Sequence, residues 1–137
     1  MLPTLCACAK LRRSARIVSA VYDEALAPIG VTVAQYSLLR MLERAGPCSL
    51  SEFGEATGHD RTTLNRTLGA LEKQGLVESA NGKDRRKRIV ALTGKGRELA
   101  KRGMPHWREA QAKIDEALGE DRETLFALLD RVEELRA

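Results

Sequence analysis

The sequence predicts a mainly α-helical protein: a winged helix-turn-helix with a small β-hairpin wing, and a helical dimerisation region drawn from both chain ends. Three observations predict it. Apolar residues recur at helical spacing almost everywhere except between Leu76 and Leu92. Two short helical patterns stand in tandem across "TGHD" at 57 to 60, the spacing of a helix-turn-helix. Directly behind them come two strand-like runs, joined by a segment whose Asn81-Gly82 pair is a favoured hairpin turn.

Each element has its own signal. Leu11, Ala15, Val18, Tyr22, Ala25 and Ile29 draw one stripe on a first helix, which Pro28 and Gly30 bring to an end. Thr32 is the N-cap expected for a second helix carrying Val33, Tyr36, Leu39 and Leu42, closed by "AGP" at 45 to 47. Ser49 opens a short third helix with Glu52 in the capping-box position and Leu50 and Phe53 inward; Gly58 stops it. Cys48, just before it, reads as turn filling. Asp60 caps a fourth helix that ends at Gly75. The strands are "LVES" at 76 to 79 and "RIVAL" at 88 to 92. A long helical pattern through Leu99, Trp107, Ala110, Ile114 and Leu118 follows, interrupted by Pro105, where a kink is expected. After Gly119 a last helix carries Leu125, Leu128, Val132 and Leu135.

The 137 residues are 43% hydrophobic, with no apolar run long enough to span a membrane, so one globular domain is expected. The start "MLPTLCACAKLRR" has an apolar patch too short for a signal-peptide core and its charges behind it, which points to a cytoplasmic protein with reduced thiols. The net charge of +4 hides an asymmetry. From Asp60 to Arg102 there are 12 Lys and Arg against 5 Asp and Glu, a net of +7; from Trp107 to Ala137 there are 5 against 9, a net of −4.

On the fourth helix Leu64, Leu68 and Leu71 lie within about 60° of one another and define the buried side. Thr62, Arg66, Gly69 and Lys73 face the other way, with Asn65 on the flank. Hydroxyls, an amide and a guanidinium can donate to base edges and phosphates, and Gly69 permits close approach to a backbone. A plain solvated face is the bland alternative. The basic stretch "GKDRRKR" decides between them. Burying an unpaired cation costs several kcal/mol, so these charges project into water or onto a polyanion, and a duplex rewards clustered cations through counterion release. The residues expected to touch DNA are Ser49, Ser51, Arg61, Thr62, Thr63, Asn65, Arg66, Lys73, Asp84, Arg85, Arg86 and Lys87. Asp84 is expected to orient Arg86 across the tip, and one wing arginine to enter a minor groove while the fourth helix lies in the adjacent major groove. His59, in the inter-helix turn, is either a phosphate contact or simply exposed.

"DRTTLNRTLGALEKQGLVES" followed by "DRRKRIVALTGKGREL" resembles the MarR family of winged-helix transcription regulators, from about residue 11 to the end and most closely over 49 to 99. The family's Asp-x-Arg wing pattern falls on Asp84 and Arg86, and its "ALTxxGxxL" continuation on Ala91 to Leu99. The resemblance implies a dimeric repressor of a pseudo-palindromic DNA operator, released by a small molecule or an oxidant. The apolar stripes support the dimer independently. A winged-helix core of about 60 residues has too little surface to bury the stripes of the first and last helices, so a second copy is expected to cover them. The chain then divides into a DNA-binding lobe at 31–99 and dimerisation helices at 1–30 and 100–137.

Enzyme chemistry has no foothold: no Gly-rich phosphate loop, nucleophile elbow or metal-spaced ligand set occurs, and neither an enzyme nor a cofactor is expected. The rival is a winged helix serving as a protein- or RNA-interaction module. Cys6 and Cys8, two apart, diverge by about 200° if both are helical and then cannot share a metal. The resemblance to the peroxide-sensing branch of the family implies an alternative, an oxidant-sensing thiol at Cys8 held near Tyr22; Val33 stands where that branch places a second tyrosine. Otherwise the thiols are ordinary, and the effector is a small, aromatic-type molecule between the dimer helices and the winged lobe.

Overall fold

A computed structural model describes Pro3 and residues 5–57, 60–81 and 88–136. The helices are α1 (Ala7–Leu26), α2 (Val33–Ala45), α3 (Leu50–Thr57), α4 (Arg61–Lys73), α5 (Gly94–Leu118) and α6 (Arg122–Glu133). The strands are β1 (Cys48–Ser49), β2 (Val77–Asn81) and β3 (Arg88–Leu92). Expectation and structure agree on a mainly helical winged helix-turn-helix.

The caps explain most of the boundaries. Thr32 closes a full capping box: its Oγ1 accepts from the Gln35 N–H at 3.2 Å, and Gln35 Oε1 accepts from the Thr32 N–H at 3.0 Å. The next orphan donor, the Val33 N–H, reaches Asp23 Oδ1 on α1 at 2.7 Å, so the start of α2 is tied to the preceding helix. Asp60 accepts from the Thr63 N–H at 2.7 Å, and Thr93 from Gly96 at 3.0 Å, opening α4 and α5. Gly30, Gly46, Gly75 and Gly119, at the helix ends, all have positive φ.

The sheet is antiparallel in the order β1-β3-β2, with Val90 opposite both Cys48 and Ser79. The strand β1 corrects the reading of Cys48 as turn filling. A two-residue strand has no periodicity to betray it; it exists because β3 offers a second edge. The sheet's inner face, Val77, Val90 and Leu92, joins one core with Leu26, Tyr36, Leu38, Leu39, Leu42, Phe53 and the α4 leucines. Leu64, Leu68 and Leu71 are 2%, 6% and 0% exposed, so the stripe on α4 is its buried side.

The helix α5 organises the rest. It runs unbroken past Pro105 and packs on α1, α2 and β3. Its Leu99 and Ala100 belong to the same buried core as Tyr36. Two glycines set its close approaches. A Cβ on Gly96 would lie 2.0 Å from the Leu76 carbonyl oxygen, and one on Gly103 would lie 2.3 Å from Tyr36 Cε2. The Tyr36 hydroxyl, in turn, donates to the Ala100 carbonyl at 2.7 Å, and burial pushes its pKa up. At the other end, Arg122 Nε meets Asp115 Oδ1 at 2.6 Å and its guanidinium lies 4.5 Å from the Phe126 ring centre, which joins α5 to α6. No residue of α6 is buried.

Both close approaches are open to test by chemical denaturation. Alanine in place of glycine inside a helix ordinarily stabilises by up to about 1 kcal/mol. Here Gly103→Ala is expected to destabilise by about 1–3 kcal/mol, because a ring must move. Gly96→Ala is expected to cost more, because its neighbour is backbone. A gain in stability for either variant would show that the seams are looser than described.

Candidate nucleic-acid interface

With its leucine side buried, α4 offers two different surfaces. Thr62, Arg66 and Lys73 lie opposite the leucines and are exposed, as are Thr63 and Asn65. Arg61, Asn65, Gly69 and Glu72, at steps of four, four and three, line a strip along one flank. That flank forms one wall of an open groove of about 510 Å³. The far walls are Ser51, Gly54 and Glu55 of α3 and Ser79 and Arg88 of the hairpin, over a floor that includes Leu64, Leu68, Val77 and Val90. If α4 lies in a major groove and the hairpin in the neighbouring minor groove, the phosphate backbone between them has to pass over this depression.

The groove has a polar brace across it. Arg88 Nε donates to Ser79 Oγ at 2.8 Å and Arg88 NH2 lies 3.4 Å from Glu72 Oε1, while the Ser79 hydroxyl itself donates to Glu72 Oε1. One carboxylate on α4 thus holds both strands of the hairpin. Arg88 is a correction: counted among the basic charges expected to project, it is held by Glu72 and Ser79, because it lies on the sheet face turned to α4. From the sequence alone Glu72 and Ser79 have no assigned role, although Glu72 is the one carboxylate within α4.

Of the expected DNA contacts, Ser51, Arg61, Thr62, Thr63, Asn65, Arg66 and Lys73 are brought to one side of the molecule, all exposed. Ser49 is a correction. It is 5% exposed and its Oγ accepts from the Glu52 N–H at 3.1 Å, so it caps α3 from inside and has little left to offer a partner. Asp84, Arg85, Arg86 and Lys87, with His59, lie outside the described residues.

The thiol reading is also changed. Cys6 is not helical: it is the N-cap of α1, with extended backbone, and Cys8 follows in the first turn, both exposed. The divergence argued for two helical cysteines therefore does not apply. Within one chain Cys8 is not near Tyr22, because fourteen residues of continuous helix separate them by about 21 Å. The Tyr22 hydroxyl is instead engaged with Gln111 Oε1 on α5 at 2.5 Å, and its ring centre lies 6.3 Å from that of Trp107. Burial, then the neighbouring Glu52, pushes the Cys48 thiol's pKa up, which disfavours the reactive thiolate there.

A second, smaller cavity of about 210 Å³ lies between α2 and α5, bounded by Tyr36, Ser37, Arg40, Met41, Arg44, Met104 and Trp107. Among the described residues no three His, Cys, Asp or Glu side chains gather as a metal ion would require. Among the described residues no single helix is long and apolar enough to cross a membrane.

Known proteins match this arrangement. The model of the MarR family matches residues 29–87. An HTH-type transcriptional repressor of Mycobacterium tuberculosis is 30% identical over 105 residues, 76% of each chain. The uncharacterised HTH-type transcriptional regulator YwoH of Bacillus subtilis is 32% identical over 84 residues; the match spans 61% of each chain, under two thirds of that relative's length. Among solved structures, the transcriptional regulator MosR of Mycobacterium tuberculosis in complex with DNA is 35% identical with a TM-score of 0.83, covering 96% of this chain and 99% of that one.

Gly69 separates the demands of folding from those of the groove. A Cβ there would meet nothing within 4 Å, so the fold does not require glycine at this point of the helix. Gly69→Ala is expected to stabilise the protein by about 0.5–1 kcal/mol while weakening its binding to duplex DNA, because the methyl group takes space at the groove wall. Thermal melting and fluorescence anisotropy on the same variant read the two effects. Stabilisation with unchanged DNA affinity would remove Gly69 from the interface.

Proposed function

The chain belongs to the MarR family of DNA-binding transcription regulators, and from that premise we propose that it is a homodimeric repressor of a pseudo-palindromic operator, released when a small molecule enters the cavity between α2 and α5. The observation that carries the DNA contact is the outer face of α4, where Thr62, Thr63, Arg66 and Lys73 are exposed together beside a hairpin that leads into the basic stretch at 83–88. On this reading α4 reads base edges and the hairpin grips phosphates or a minor groove.

Two copies are needed because of what one copy leaves uncovered. Ile17 is 58% exposed, and Phe126, Leu128 and Val132 on α6 are 44%, 49% and 46% exposed. Burying side chains of this size is worth about 1.5–3 kcal/mol each, and a two-fold partner presents the same stripes in return. In this proposal residues 1–30 and 100–137 make the dimer and 31–99 the DNA-binding lobe. A two-fold pair carries two copies of α4, which matches the symmetry of a palindrome with half-sites about one helical turn apart.

Binding should be measured by anisotropy on a two-fold site near the protein's own gene and on random duplex. Arg66→Ala is expected to cost about 1–3 kcal/mol on the operator and little on random DNA. Leu128→Asp combined with Val132→Asp is expected to give a monomer by sedimentation and to abolish operator preference. Operator binding unchanged by Arg66→Ala would defeat the docking model, and a wild-type protein that sediments as a folded monomer would defeat the dimer.

The cavity supports the release mechanism through its lining. Tyr36, Met41, Met104 and Trp107 make soft apolar walls and Arg44 supplies a cation, while Arg40 is held by Glu43 at 2.8 Å, a set suited to a single aromatic ring bearing a carboxylate. Such a ligand would press on α2, whose Tyr36 is locked to α5 and which itself packs on α4. Trp107 is the single tryptophan, so its emission reports occupancy directly. Salicylate or benzoate is expected to change Trp107 fluorescence saturably and to lower operator affinity over the same concentration range. A fluorescence change without loss of DNA affinity would separate the cavity from regulation.

A further inference from the structure

The DNA-binding reading accounts for every charged side chain on α4 except Glu72. Arg61, Arg66 and Lys73 suit a polyanion, whereas a carboxylate on a helix that approaches phosphates repels them. Glu72 is nevertheless half-buried at the C-terminal turn of α4, against the hairpin. Its partners come from both strands: Ser79 on β2 and Arg88 on β3. Ser79 and Arg88 share the sheet face that carries Val77 and Val90, the face turned to α4. Closer to the connection, the junction is already fixed. The Leu76 N–H donates to the Leu71 carbonyl at 3.0 Å, the Thr93 hydroxyl to the Gly75 carbonyl at 2.7 Å, and Lys95 Nζ to the Gln74 carbonyl at 2.8 Å. The brace lies further out, where hairpin and helix begin to diverge around the groove.

We infer that Glu72 is a positioning residue for DNA recognition: through Ser79 and Arg88 its carboxylate fixes the separation of the hairpin from α4, so that helix and wing reach their two grooves together. The inference rests on the DNA-binding reading and refines it. Half-exposed ion pairs contribute little to overall stability, so the brace is nearly irrelevant to whether the protein folds. Its effect is on geometry. A hairpin free to swing has to be ordered at the moment of binding, and that ordering comes out of affinity. The brace also neutralises the carboxylate where the backbone passes, which explains how an acidic residue is tolerated there.

The two roles available to Glu72 predict opposite signs. If it were only a charge near phosphates, Glu72→Gln would tighten binding to all duplexes. As a positioning residue, Glu72→Gln is expected to weaken operator binding roughly 3- to 10-fold, with a melting temperature within a few degrees of wild type. The loss should vanish in an Arg86→Ala background, because a wing without its gripping arginine gains nothing from being held. The charge exchange Glu72→Arg with Arg88→Glu, which keeps the net charge, is expected to return operator affinity to within about 3-fold of wild type. The experiment is anisotropy of these proteins on operator and random duplex, with melting curves alongside. Operator affinity equal to or tighter than wild type in Glu72→Gln overturns the inference and leaves DNA binding intact. A loss that persists undiminished in the Arg86→Ala background overturns it too, since Glu72 would then act without the wing. If the exchanged protein melts early, the Arg86→Ala background decides alone. Wild-type protein that shows no preference for any duplex would overturn the DNA-binding reading itself, and this inference with it.

Discussion

Two missing side chains on α5 set how closely α2 and the start of the hairpin approach it. At Gly103 the ring of Tyr36 occupies the space a methyl group would take, and at Gly96 the Leu76 carbonyl does the same. The first contact fixes α2, and through α2 the helix α4 that packs on it; the second fixes the point from which β2 departs. Seven residues, about two turns, separate the two glycines, so both notches lie on one face of α5, Gly96 nearer the hairpin and Gly103 nearer the cavity. Close packing of this kind has few intermediate positions, because a void or an overlap of even a fraction of an ångström is costly. A helix seated by notches transmits a displacement as a unit rather than absorbing it.

Much of this architecture was legible because it depends on local rules. The stripe of Leu64, Leu68 and Leu71, the caps at Thr32 and Asp60 and the apolar run in "RIVAL" each act within a few residues, and each element stands where its signal lies. What escaped depends on residues distant in sequence. Asp23 reaching the Val33 N–H, β1 taking the spare edge of β3, and Tyr36 meeting Gly103 all join segments whose proximity no window of the sequence reveals. Ser49 is instructive in a different way. The pattern around it signalled a cap, which it is, and the same hydroxyl was also assigned to DNA; the cap bond to the Glu52 N–H leaves its O–H free in principle, but burial takes that hydroxyl out of reach of a duplex. The cysteine pair shows the converse. Angular reasoning about a helix is sound only where the helix has begun, and α1 begins after Cys6.

The helix α4 therefore carries two sets of residues under different constraints. Its leucines answer to the core and have almost no latitude. Gly69 and Glu72 answer to nothing in the core: one leaves open space, and the other reaches across to the hairpin. Residues that the folded state does not need, placed where a helix former or a neutral side chain would serve stability as well, are where a binding function leaves its mark. The charge distribution follows the same division: cations gather between Asp60 and Arg102, while the segment from Trp107 to Ala137 is net acidic, and the apolar residues Phe126, Leu128 and Val132 of α6 stay exposed there.

That separation also bears on how release would work in the proposed repressor. Tyr36 lines the small cavity and at the same time fills the notch at Gly103 and donates to the Ala100 carbonyl. Trp107, on the opposite wall, contacts Tyr22, whose hydroxyl leads through Gln111 and Asp115 to Arg122 at the foot of α6. A molecule wedged between Tyr36 and Trp107 thus bears on two supports, one beneath the DNA-reading lobe and one beneath the helix offered to a second copy. Coupling requires only that it fit one spacing of α2 and α5 better than the other. Because the Glu72 brace holds the hairpin to α4, a shift of α2 would carry helix and wing together, and the operator would lose both contacts by the same movement.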